Sequence, residues 1–108
     1  MKGRILVVDD ERAMRKSLEE ILNLEGYQVS SVGDGKSAIE ALEAGSFDLM
    51  LLDLKMPGVD GLEVLKFAAE HAPKCKVVML TAHGSLESAI EALRQGAHDY
   101  ILKPAKPE

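Results

Sequence analysis

Two apolar runs in this chain end in acid. Leu49-Met50-Leu51-Leu52 closes on Asp53, and Ile5-Leu6-Val7-Val8 closes on Asp9-Asp10. A carboxylate at the end of a buried strand is delivered to the rim of a sheet. Behind Asp53, Leu54-Lys55-Met56-Pro57-Gly58 reads as a tight turn. Asp9, Asp10 and Asp53 are therefore expected to meet in one acidic pocket. Carboxylates about 4 Å apart repel by about 4 kcal/mol at an effective dielectric of about 20. A retained proton or a bound cation relieves that repulsion. A hard divalent ion with oxygen ligands suits such a pocket, Mg²⁺ first. No convergent His or Cys points to zinc.

Two more polar groups stand at strand ends. Thr81 closes Lys76-Val77-Val78-Met79-Leu80, and Lys103 follows Asp99-Tyr100-Ile101-Leu102. A cation, a lysine and a hydroxyl around a carboxylate make a cradle for a phosphoryl group. Asp53 can then be the nucleophile, giving an aspartyl phosphate. Metal and lysine would neutralise charge on the transferring oxygens. Each part alone has a plainer reading: a turn with a helix cap, a last strand residue, a solvated lysine before proline. Their joint placement at four strand ends favours the cradle.

The elements that position these groups alternate strictly. Strands are expected at Arg4 to Val8, Tyr27 to Val32, Leu49 to Asp53, Lys76 to Thr81 and Asp99 to Leu102. Asp10 is the expected cap of a helix carrying Met14, Leu18, Ile21 and Leu22, which Gly26 stops. Asp34 caps a second helix with Ala38, Ile39, Ala41 and Leu42, ended by Gly45. A third carries Leu62, Leu65, Phe67 and Ala68 until Pro73. Ser85 caps a fourth with Leu86, Ala89, Ile90 and Leu93, ended by Gly96. Such alternation implies an α/β fold, a parallel sheet with helices on both faces. The first, third and fourth strands are nearly all apolar, as central strands are. In such sheets the ligand sits beyond the carboxyl ends of the strands.

Composition narrows the classes. A chain of 108 residues forms one domain and can bury roughly two-thirds of its unfolded surface. The single Cys75 allows no internal disulfide, and its flank of Lys74 and Lys76 reads as a solvated strand entry rather than the setting of an activated thiol. The net charge of -5 disfavours direct nucleic-acid binding. No run approaches the roughly 18 apolar residues of a membrane span, and no signal peptide is apparent. The expected location is cytoplasmic. His71, His83 and His98 have no metal-ligand partner at suitable spacing and read as surface or loop residues.

The chain resembles a response-regulator receiver domain of two-component signalling. The resemblance rests on Asp9-Asp10, Asp53 with Met56-Pro57-Gly58, Thr81-Ala82, Lys103-Pro104, Gly61 and Gly96-Ala97-x-Asp99-Tyr100, and it covers essentially all of residues 1–108. The Thr81-Ala82-His83-Gly84-Ser85 segment is most similar to receivers of enhancer-binding transcription activators. The resemblance implies a flavodoxin-like, doubly wound parallel five-stranded sheet of order 2-1-3-4-5. It implies that Asp53 accepts the phosphoryl group from a histidine kinase in a Mg²⁺-dependent reaction. Asp10, Asp53 and the Lys55 carbonyl would bind the metal, with Asp9 acting through a metal-bound water. Thr81 would bond a phosphoryl oxygen, Lys103 would pair with it, and Tyr100 would rotate as Thr81 moves. Lys55 and His83 would tune the lifetime of the phosphoryl group. A cis Lys103–Pro104 peptide would orient the lysine. The domain would switch an output domain or downstream partner and would not be an enzyme acting on outside substrates.

The family pattern continues into a last helix after Lys-Pro, whereas only Ala105-Lys106-Pro107-Glu108 follows here. The expectation is a C-terminally truncated receiver, or a chain that covers the exposed face by pairing as a homodimer. Two other classes compete. An aspartyl phosphatase of similar fold would carry a second acid two residues after its nucleophile, where Lys55 stands. A phosphorylation-independent binding module would not need the complete acidic site.

Overall fold

The computed structural model describes residues 3–53, 61–81, 93–94 and 96–102. β1 (Arg4–Val8), β2 (Gln28–Val32), β3 (Leu49–Asp53), β4 (Lys76–Thr81) and β5 (Asp99–Leu102) form one sheet of order β2-β1-β3-β4-β5. Every pairing is parallel. Through the first four strands this is the order the resemblance implied, and β5 lies at the edge beside β4. The three apolar strands β1, β3 and β4 occupy the interior positions of the sheet.

Alternation along these strands divides the core in two. Leu6, Val8, Met50, Leu52, Val77 and Met79 face α2 (Gly35–Ala44) and α3 (Gly61–His71), meeting Ala38, Leu42, Val64, Leu65 and Ala68. Ile5, Val7, Leu51 and Leu80 face the other way, toward Leu18 and Leu22 of α1 (Arg12–Leu24). Among the described residues the first cluster holds thirteen buried side chains and the second four. The α1 face is therefore the thinner layer, and α1 itself has no fully buried residue.

Helix ends follow local chemistry. The Asp34 carboxylate accepts from the Ser37 amide at 2.7 Å, which holds its pKa below the ordinary 3.8. At the end of α1, Gly26 takes φ 99°. Its amide donates to the Asn23 carbonyl, and that of Tyr27 to the Leu22 carbonyl. This is a Schellman closure, which needs a left-handed residue at the Gly26 position. It also consumes the Tyr27 amide, so β2 starts at Gln28, one residue later than the sequence suggested.

The expected Asp10 cap is corrected. Glu11 occupies the N-cap position of α1 and makes no side-chain cap bond. Asp10 lies one residue too early to cap, so its carboxylate is not committed to the helix. The helix expected after Ser85, the turn of residues 54–60 and the Lys103–Pro104 peptide lie outside the described residues. No described helix is long and apolar enough to cross a membrane.

Candidate metal and phosphoryl site

Parallel register assembles the acidic pocket. Val8 pairs with Leu52, so the next residues out, Asp9 and Asp53, stand side by side. By alternation both follow Val7 and Leu51 on the α1 side. Asp9 is 0 % exposed and Asp53 4 %, whereas Asp10 is exposed. One carboxylate oxygen from each of the three lies within 4.8 Å of the others. At that separation two full charges repel by about 3 kcal/mol at an effective dielectric of about 20.

Asp9 is fixed through both backbone and side chain. Its amide donates to the Val32 carbonyl at 3.2 Å, joining the pocket to the end of β2. Its Oδ1 accepts from the Glu11 amide at 2.8 Å. Its carbonyl accepts from Arg15 Nη1 at 2.7 Å. Sequence reasoning missed Arg15. The residue belongs to the first turns of α1, and its long side chain reaches back six positions, a contact with no signature in hydrophobic period. Gly33 gives the guanidinium room, since a Cβ there would stand 3.0 Å from Nη1.

The donor set fits a hard divalent cation. All three side chains offer oxygen, two are held in place by burial, and Asp10 opens to solvent. Among the described residues no His or Cys joins the group. The remaining expected site residues are placed in part. Thr81 ends β4, one residue beyond the Leu80 that pairs with Asp53. Thr81 in turn pairs with Leu102 of β5, the last residue before Lys103. Tyr100 lies within β5, opposite Met79. Lys55, His83 and Lys103 fall outside the described residues.

Other reactive groups stand apart from the pocket. Cys75 is buried near the start of β4, and its thiol is pushed up to about 11, first by burial and then by Asp48. The thiol is not activated, as expected, but it is buried in the core and not at a solvated strand entry. His71 is exposed at the end of α3 and stacks on Phe67, ring centroids 4.2 Å apart. His98 is exposed, and its Nδ1 accepts from the Val77 amide at 3.2 Å.

Residues 5–108 match the family model described as the response regulator receiver domain. FleR, a response regulator protein of Pseudomonas aeruginosa, is 38% identical over 104 residues, covering 96% of this chain and 22% of FleR. The DNA-binding transcriptional regulator NtrC of Escherichia coli is 39% identical over 103 residues, covering 95% of this chain and 22% of NtrC. The chain thus spans about a fifth of the length of these relatives. Among solved structures, NtrX from Brucella abortus superposes with TM-score 0.90 at 39% identity, over 98% of this chain and 24% of NtrX. TrrA from Thermotoga maritima, solved in complex with Mg²⁺-BeF, gives TM-score 0.84 at 37% identity, over 94% of this chain and 86% of TrrA.

Proposed function

Since the chain belongs to the response regulator receiver domain family, we propose that it is a phosphorylation switch with Asp53 as acceptor. Residues 1–108 act as one receiver unit, in the cytoplasm, with a histidine kinase as donor. The observation that carries this reading is the meeting of Asp9, Asp10 and Asp53 within 4.8 Å at two neighbouring strand ends. Its support includes the solution of a similar protein, TrrA, with Mg²⁺-BeF.

The chemistry is a group transfer. An Asp53 carboxylate oxygen attacks the phosphorus of a phosphohistidine. The new P–O bond forms as the P–N bond breaks, and the electron pair leaves with the imidazole nitrogen. Asp10, Asp53 and the Lys55 carbonyl would hold Mg²⁺, with Asp9 assisting. When bound, the metal supplies positive charge for the transferring oxygens. Lys103 adds a second positive group, and the Thr81 hydroxyl donates to a phosphoryl oxygen. The low exposure of Asp53 limits water near the acyl phosphate, which water hydrolyses slowly. The domain turns over no other substrate.

Phosphorylation shifts a two-state equilibrium by favouring the conformer in which Thr81 reaches the phosphoryl group and Tyr100 packs behind it. An output domain or partner protein reads that conformer, and self-association is one form the readout can take. With a net charge of -5, the domain does not itself contact nucleic acid. The test is transfer from a small phosphodonor with Mg²⁺ and with excess EDTA. Uptake is expected only with Mg²⁺, as a group released by hydroxylamine, which cleaves acyl phosphates. Uptake unaffected by EDTA, or resistant to hydroxylamine, would contradict the reading.

A further inference from the structure

We infer that Arg15 is a positioning residue for the metal pocket: by clamping the Asp9 carbonyl from α1, it fixes the Asp9–Asp10 peptide and thus the aim of the Asp10 carboxylate. This rests on the proposal that the pocket binds Mg²⁺. The peptide between the two acids is planar, so the direction of the Asp9 carbonyl sets the direction in which Asp10 leaves the strand. Asp9 and Asp53 are buried, and packing holds them. Asp10 is exposed and does not cap α1, so its aim depends on the backbone that carries it. That backbone is held at 2.7 Å by Arg15 Nη1.

Three features make this contact more than incidental. The donor is charged and the acceptor is a carbonyl next to the pocket, a charge-assisted bond stronger than a neutral one. Arg15 is half-buried, so its head is not a freely solvated surface group. Gly33 leaves space where a Cβ would stand 3.0 Å from Nη1 and 3.4 Å from Cζ. The clamp therefore draws on α1, the end of β1 and the segment after β2 together. Groups that orient metal ligands from behind commonly control affinity.

The sign of the effect separates positioning from charge. A guanidinium near three carboxylates opposes Mg²⁺ by simple repulsion, so loss of the charge alone would tighten binding. Loss of the clamp loosens it. The experiment is calorimetric titration of Mg²⁺ into metal-free native protein, Arg15→Met and Arg15→Lys, with the thermal midpoint of each in EDTA. Arg15→Met is expected to raise the Mg²⁺ dissociation constant about 10-fold, and Arg15→Lys, which keeps a donor, to recover most of that loss. Tighter binding by Arg15→Met, or an unchanged constant with only a lower midpoint, would overturn the inference. If Arg15→Met does not fold, Gly33→Leu displaces the guanidinium from the opposite side, because a Cβ there already stands 3.0 Å from Nη1 and the branched chain beyond it needs the space that the guanidinium fills. Weaker Mg²⁺ binding there supports the clamp, and unchanged binding refutes it. A native protein that fails to bind Mg²⁺ would instead sink the parent reading of the pocket.

Discussion

Asp9, Asp10 and Asp53 share a side-chain type but not an environment. Asp9 accepts from the Glu11 amide and Asp53 is enclosed between strands, while Asp10 faces solvent. Removing the Asp10 charge should therefore act oppositely with and without metal. In EDTA, Asp10→Asn is expected to raise the thermal midpoint, because one set of repulsions disappears. In Mg²⁺ it should lose most of the stabilisation that the ion gives the native chain. A lower midpoint in EDTA, or an undiminished Mg²⁺ increment, would count against a repulsive trio. Cys75 offers a pH test far from the pocket. Its thiol titrates near 11 when folded and at an ordinary value of 9.0 otherwise. The folded state thus holds the proton longer, and its advantage is present below pH 9 and lost as pH rises toward 11. The stability difference between the native chain and Cys75→Ala should shrink over that window by urea denaturation. At pH 8, alkylation of the native thiol should be slow and should accelerate on unfolding. At this scale the acids were legible, because each closes an apolar run. Arg15 was not, because a side chain reaching from a helix to a carbonyl leaves no periodic trace.

Elements end where one backbone group decides. Gly26 closes α1 at φ 99°, and its turn satisfies the Asn23 and Leu22 carbonyls. Gly26→Ala forces a Cβ into the left-handed region and should destabilise by about 1–2 kcal/mol in urea denaturation. A loss below a few tenths would mean that the turn relaxes without cost. The described strands and helices could be read from residue pattern: β1, β3 and β4 from apolar runs, α2 from the Asp34 cap, α3 from its stop before Pro73. The errors sit at boundaries of one residue. Asp10 and Glu11 are adjacent acids, and only backbone angles determine which one stands at the N-cap. Tyr27 has strand chemistry, yet its amide is taken by the helix closure before β2 begins.

For the whole molecule, topology turns separated residues into one site. Asp9 and Asp53 are far apart in sequence, and the Val8–Leu52 register makes them neighbours. The order β2-β1-β3-β4-β5 puts the ends of β1 and β3 beside β4, where Thr81 extends past the level of Asp53. Strand ends in a parallel sheet all point one way, so this convergence was foreseeable once alternation was recognised. The order itself was not, because crossover direction and strand choice leave several parallel arrangements open. The central claim is that this convergence makes Asp53 a phosphoryl acceptor. Its most direct test is intact mass after incubation with Mg²⁺ and a small phosphodonor, comparing the native chain with Asp53→Asn. The account predicts the mass of one added phosphoryl group on the native chain and none on the variant. Equal uptake by both would place the acceptor elsewhere, and no uptake by either would show that the pocket does not perform the chemistry.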